Sequence, residues 1–195
     1  MTRVGSAPLL LLASASPRRR ELLSLAGVRF EAAATSVDEA AEGTPEDVVA
    51  ENALCKARAG LDLRSDADLV LGADTEVSIG GRVLGKADTP ASARAHLAEL
   101  SGQTHEVLGA IALLSADGGE PRTALERTRV TFAALDNDEI ERYIASGEWQ
   151  DRAGAYAVQG LGASFVTAVE GDLANVIGLP MRALRALAPE LFRSA

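Results

Sequence analysis

The sequence predicts a mixed α/β fold, and three observations carry that prediction. Short apolar runs at residues 9–12 and 69–72 suit strands buried on both faces. Helical stretches with strong start signals stand between and after them, opened by Pro17, Thr44-Pro45 and Thr89-Pro90. Residues 104–114 and 123–134 are long β-rich runs joined by Asp117-Gly118-Gly119-Glu120, an antiparallel hairpin or a ribbon at a sheet edge. A length of 195 residues suits one domain over 1–195, and 47% hydrophobic content supplies a core. Aromatics at 4% mean that aliphatic side chains and alanine fill it.

The first strand, at 9–12, leads through Ser14, Ala15 and Ser16 into a helix. Pro17 sits where a first helical residue needs no N–H, which makes Ser16 the expected N-cap and Gly27 the expected residue after the helix end. Arg18 and Arg19 occupy the first turn, where positive charge opposes the helix dipole and a purely structural helix carries acid. Free N–H groups and two guanidinium groups facing one space form a corner for an anion such as phosphate. A solvated basic surface is the alternative.

Residues 29–34 read as a second strand, followed by Val37-Asp38-Glu39. Thr44-Pro45-Glu46-Asp47 opens a helix running to Gly60 or Leu63, with Val49, Ala53, Lys56 and Gly60 on one face. Lys56 therefore stands on a small-residue stripe, either snorkelling outward or pointing into a cleft. Of 19 basic residues only Lys56 and Lys86 are lysine, which favours a use for the compact ammonium at both. The strand at 69–72 ends at Ala73-Asp74-Thr75, placing an acid at its carboxyl end, where open α/β sheets put ligand chemistry. A hairpin over 76–79 and 82–84 turns at Gly80-Gly81 and delivers Gly85-Lys86. Thr89-Pro90 starts a helix with Ala93, Leu97 and Leu100 as its buried stripe.

His105 reads as a strand residue bonded to a nearby turn, and Asp136 with Glu139 as a capping box for a helix buried through Ile140, Tyr143 and Ile144. Residues 147–162 form a glycine-rich loop carrying Arg152, Tyr156 and Gln159, too long for a simple turn and therefore a candidate for function. A strand at 163–170 and a last helix packing through Leu184, Leu187 and Leu191 complete the chain.

A formal net charge of -9 argues against nucleic-acid and basic membrane-surface binding, and makes the arginine cluster conspicuous. The single cysteine, Cys55, permits no intrachain disulfide and reads as a core filler. His96 and His105 are too separated for zinc. Residues 1–8 lack a signal-peptide pattern and no apolar run spans a membrane, so the expectation is a cytoplasmic protein.

Arg18, Arg19, Lys56 and Lys86 suit a polyphosphate, and the acids Glu39 and Asp74 beside it imply a divalent cation, Mg²⁺ or Mn²⁺, with oxygen ligands. Asp74 could then orient or deprotonate a water. There is no Walker A pattern and no GxGxxG, so neither a P-loop nor a dinucleotide fold is supported.

LASASPRRRELL (12–23), VDE (37–39), ENALCKARA (51–59), LGADTEV (71–77), LGKADTPASA (84–93), LSGQTHEV (100–107), RAGAYAVQG (152–160) and NVIGLP (175–180) together resemble the Maf family of nucleoside triphosphate pyrophosphatases. The resemblance implies two α/β lobes around a deep cleft, an architecture like that of inosine-triphosphate pyrophosphatase. It also implies a cytoplasmic homodimer that cleaves nucleoside triphosphates between the α and β phosphates. On this resemblance Asp74 is the proton acceptor, Arg18, Thr75 and Gln159 govern base choice, and Arg19, Lys56 and Lys86 bind phosphate. Ser14, Ser16 and Arg152 join the substrate-binding set, and Glu39 with Asp74 holds the metal. The AGAYAVQG loop resembles the dTTP/UTP-preferring branch, whereas the branch acting on 7-methyl-GTP carries an acid at the place of Gln159. A nucleotide-sensing protein affecting cell division is the reading from another class.

Overall fold

The computed structural model describes residues 8–64 and 67–192; the expectation about residues 1–7 lies outside them. The apolar run forms β1 (Leu10–Ala13), every residue of which is buried. A turn leads into α1 (Pro17–Leu25), with Pro17 in its first turn as expected. Ser16 makes no side-chain cap; instead the Ser14 hydroxyl accepts the Ser16 N–H at 3.2 Å. The helix closes in a Schellman pattern, Gly27 N–H to Ser24 and Val28 N–H to Leu23, with Gly27 at φ 70°.

After β2 (Phe30–Ala33), α2 (Pro45–Leu63) begins with Thr44 Oγ1 accepting the Asp47 N–H at 3.2 Å. Its Val49, Ala53 and Gly60 are buried as the spacing demands. Gly72 lets this helix lie directly on the sheet, since a Cβ there would stand 2.1 Å from the Ala53 carbonyl oxygen. Cys55, expected in the core, is half-buried on this helix.

The acid-bearing segment departs from expectation. Residues 69–79 form one continuous strand, β3 (Leu69–Ile79), so Asp74 lies at its middle rather than at a carboxyl end. The strand continues because β5 (Thr104–Ser115) pairs with it antiparallel along its length, from Leu69 against Ser115 to Ser78 against Glu106. Short β4 (Arg82–Leu84) folds back on β3, and α3 (Pro90–Leu100) follows with a Thr89–Ser92 capping box. The β5–β6 hairpin, with β6 at Arg122–Phe132, sits inside the sheet and not at its edge, since β7 (Val166–Glu170) adds beyond β6. The strand order is β2-β1-β3-β5-β6-β7, parallel between β1 and its two neighbours and antiparallel elsewhere.

Beyond β6, α4 (Asn137–Ser146) carries the expected Asp136–Glu139 capping box. Residues 161–165, in part expected as strand, form a 3₁₀ turn (Leu161–Phe165) before β7. Two short helices follow, α5 (Leu173–Ile177), which the sequence reading did not anticipate, and α6 (Met181–Leu187); Leu191 packs from a terminal 3₁₀ turn. No helix among the described residues is long and apolar enough to cross a membrane.

On one face of β3 the side chains serve two cores. Leu69, Leu71 and Ala73 of β3 pack with Leu10, Leu12, Leu179 and Leu184. Val77, only four residues beyond Ala73, packs with Leu97, Phe132, Tyr143 and Tyr156. Thr75 falls between these cores on their strand face, while Asp74 and Glu76 alternate onto the face toward α2, so the mixed α/β sheet carries two lobes with its polar segment at the junction.

In the second core His105 is 1% exposed, and its Nε2 meets the Tyr156 hydroxyl at 2.9 Å. The partner of His105 is thus the loop 51 residues onward. Burial pushes the imidazole down to about 4. Between pH 6.5 and 4 only the unfolded chain takes up this proton, so stability falls with falling pH by about 3 kcal/mol. Urea midpoints at pH 7 and 4 should show that loss in the wild type and less of it in His105→Gln, which keeps a partner for Tyr156 without the titration.

Candidate active site

At the junction of the lobes lies a cavity of about 580 Å³, within the range of small-ligand sites. Its wall contains Ser14, Ser16, Arg18, Arg19, Glu39, Lys56, Asp74, Thr75, Lys86, Arg152 and Gln159. Every site residue read from the sequence therefore lines one space.

The acidic side is built from β3 and α2. Asp74 is 5% exposed; its Oδ1 accepts from Lys56 Nζ at 2.6 Å and its Oδ2 from Asn52 Nδ2 at 3.3 Å. Lys56 Nζ also pairs with Glu39 Oε1 at 2.6 Å. The small-residue stripe of α2 thus points Lys56 into the cleft. Asn52 was not anticipated, although it stands one helical turn before Lys56 and so shares its face. Asn52 also fixes the Glu39 segment, since its Oδ1 accepts the Ala40 N–H at 2.7 Å. Burial opposes ionisation of Glu39, but the Lys56 bond and the charges of Lys56, Lys86 and Arg19 outweigh it and hold the carboxyl below its ordinary range.

The sequence reading also missed Glu76, which lies two residues past Asp74 on the same strand face. Burial, with the charges of Asp74 and Glu39, raises its carboxyl to about 7 against the opposing Lys56 and Lys86. Its buried Oε2 has no hydrogen-bond partner. Among the described residues no three acids, histidines or cysteines already form a ligand-like group. Carboxylates at Glu39 and Asp74 and the orphaned oxygen of Glu76 nevertheless suit a hard cation that takes most of its ligands from phosphate and water.

The cationic side comes from α1 and the 147–162 loop. Arg19 is nearly buried and committed to the protein, with Nε donating to the Gly178 carbonyl at 2.8 Å, Nη1 to Ser14 Oγ at 3.1 Å and Nη2 to Thr75 Oγ1 at 3.3 Å. Burial lowers its pKa, against the charges of Asp74, Glu39 and Glu76. Thr75 donates onward to the same Gly178 carbonyl at 3.2 Å. Arg18 donates to the Asp151 carbonyl at 3.0 Å. Burial first, then repulsion from Arg152 and Arg19, lowers it to about 10. Arg152 leaves a buried Nη1 without a partner. Lys86 faces the same space from a bridge to Ala153. Arg18 crowded by Arg152 and Arg19, beside an unfilled donor on Arg152, forms an arrangement that a polyanion would relieve.

Comparison with known proteins identifies the family of the chain. The family described as Maf-like protein matches residues 9–191. A protein named dTTP/UTP pyrophosphatase from Moorella thermoacetica is 50% identical over 174 residues, covering 88% of this chain and 89% of its own. One of the same name from Bacillus cereus is 47% identical over 177 residues, covering 90% of this chain and 86% of its own. A solved dITP/XTP pyrophosphatase from Mycobacterium abscessus overlaps 65% of this chain and 75% of its own at 22% identity, and its TM-score of 0.44 is too low to carry weight. With a family match over nearly the whole length and relatives near half identity, this chain belongs to the Maf-like protein family.

Proposed function

We propose that this protein hydrolyses nucleoside triphosphates, dTTP and UTP above others, between the α and β phosphates to give the nucleoside monophosphate and pyrophosphate. The observation that carries the proposal is the single cavity in which the Lys56-bound acids Asp74 and Glu39 face the Arg18, Arg152 and Lys86 cations. The names of the Moorella and Bacillus relatives support the substrate and reaction.

In this reading Asp74 accepts the proton of the attacking water. Lys56 and Asn52 hold its carboxylate in one orientation. Lys86, Arg18 and Arg152 take the phosphate chain, and their charge offsets the negative charge that moves onto the leaving pyrophosphate. Arg19 acts at one remove, tying Ser14, Thr75 and Gly178 into a fixed floor. Gln159 is exposed at the cavity wall, where its amide offers both a donor and an acceptor to a pyrimidine edge. A Mg²⁺ or Mn²⁺ held by Glu39 and Asp74 would supply charge neutralisation and a water of lowered pKa. The protein works in the cytoplasm as a homodimer in the same reading.

Pyrophosphate release from dTTP, UTP, CTP, GTP and 7-methyl-GTP, with Mg²⁺ or Mn²⁺ and with chelator, tests the proposal. The expected result is release fastest from dTTP and UTP and stopped by chelator. A maximum on another base would overturn the substrate assignment. Nucleotide binding without release would overturn the reaction and favour a sensor.

A further inference from the structure

Glu148 lies where α4 passes into the loop that carries Gln159. Its carboxylate reaches across that loop: Oε2 accepts the Leu161 N–H at 2.9 Å and Oε1 the Gly162 N–H at 3.0 Å. The Tyr143 hydroxyl, near the same carboxylate, accepts the Ala157 N–H at 3.1 Å. Glu148 thus pins the chain just after Gln159 and Gly160, and Tyr143 holds Ala157 just before them. The Gln159 side chain itself makes no hydrogen bond among the described residues, so its place is set through the backbone.

Gly160 adds a second, independent observation. Its φ of −122° and ψ of −142° do not call for the left-handed region. The demand for glycine comes from space, since a Cβ would stand 1.9 Å from Glu148 Oε2. The carboxylate therefore sits tight against the residue that follows Gln159. Glu148 also lines the cavity itself.

From this geometry we infer that Glu148 is a positioning residue for nucleobase selection, clamping the 157–162 segment so that the Gln159 amide is held at the cavity wall. The inference rests on the pyrophosphatase reading above, in which Gln159 meets the base. The work of Glu148 is orientation of a binding group, so its loss should act on substrate affinity and discrimination more than on the bond-breaking step.

The test compares the full-length wild type with Glu148→Ala, Glu148→Gln, Gly160→Ala and the Glu148→Ala/Gly160→Ala double variant. Steady-state kinetics on UTP and CTP give kcat and KM, and a thermal melt checks folding. Glu148→Ala should raise KM for UTP about 10-fold and cut the UTP-over-CTP preference by a similar factor, with kcat changed by about 3-fold at most. Gly160→Ala should show the same split, because the new methyl displaces the carboxylate. The double variant should be no worse than Glu148→Ala, since removing the carboxylate frees that space. Glu148→Gln keeps size and one acceptor and should lie between; it serves in place of Glu148→Ala if the latter does not fold.

A purely structural cap would lower the melting temperature and leave the UTP-over-CTP ratio unmoved. That result in a folded Glu148 variant, or additive effects of the two substitutions, would overturn the inference. The same ratio from equilibrium binding of non-hydrolysable UTP and CTP analogues separates the two readings. Wild-type discrimination without turnover would sink the hydrolase reading alone; unchanged discrimination in the variant would sink the clamp alone.

Discussion

Asp74→Asn is expected to lower kcat for pyrophosphate release by about 10³-fold while nucleotide affinity stays close to that of the wild type. The substitution is nearly isosteric, and Asn52 and Lys56 remain as neighbours to orient the side chain. What it removes is the capacity to take a proton, which an amide lacks, together with a negative charge facing Lys56 and Arg19. Single-turnover measurements with UTP would place the loss in the chemical step, and a titration with a non-hydrolysable analogue would show binding retained. A variant that keeps most of its turnover would remove Asp74 from the mechanism and shift attention to Glu76, the other acid on the same strand face.

Lys56→Met is expected to damage both stability and activity. Its ammonium is 2.6 Å from each of Glu39 and Asp74, and its side chain is 12% exposed. Methionine keeps the length of the stem but leaves the buried Asp74 carboxylate without its cation. Breaking a buried pair from one side costs about 3 kcal/mol, most of it at Asp74, because the Glu39 side chain is 49% exposed and water screens its share. A lowered urea midpoint and a fall in kcat/KM of about 100-fold or more are the expected readings. The Lys56→Met/Asp74→Asn double variant should recover much of the stability, since the acid left without its cation is then the half-exposed Glu39, and none of the activity. Stability unchanged in Lys56→Met would mean that the pair is solvated and contributes little.

Local chemistry alone decided a large part of this fold. Thr44 with Pro45, Thr89 with Pro90 and Asp136 with Glu139 start helices because hydroxyl or carboxylate caps and proline act within one turn. The apolar run of β1 is buried at every residue because nothing in it is fit to face water. The scarcity of lysine favoured a use for Lys56 but left open whether its ammonium snorkels outward or enters a cleft, and the structure places it between two acids. The motifs carried the rest of the site, since all the residues that they named line one cavity.

Tertiary structure decided what depends on partners distant in sequence. Asp74 sits in mid-strand because ten residues of β5 pair with β3, a registry that no local pattern at 69–79 announces. Residues 161–165 wind into a 3₁₀ turn where strand was expected from 163 onward, with Glu148 bonded to two of its N–H groups from 13 and 14 residues away. Arg19 reads in sequence as a free cation beside Arg18, yet its donors are taken up by Ser14, Thr75 and Gly178, the last 159 residues on. The sequence by itself singled out residues that come to line one cavity, though not Asn52 or Glu76, because residue type and spacing fix what chemistry each can do. Only the folded chain decided which of them are bonded to other parts of the protein and which keep an unpartnered polar group in the cavity, because a hydrogen bond is settled by distance in space and not by separation along the chain.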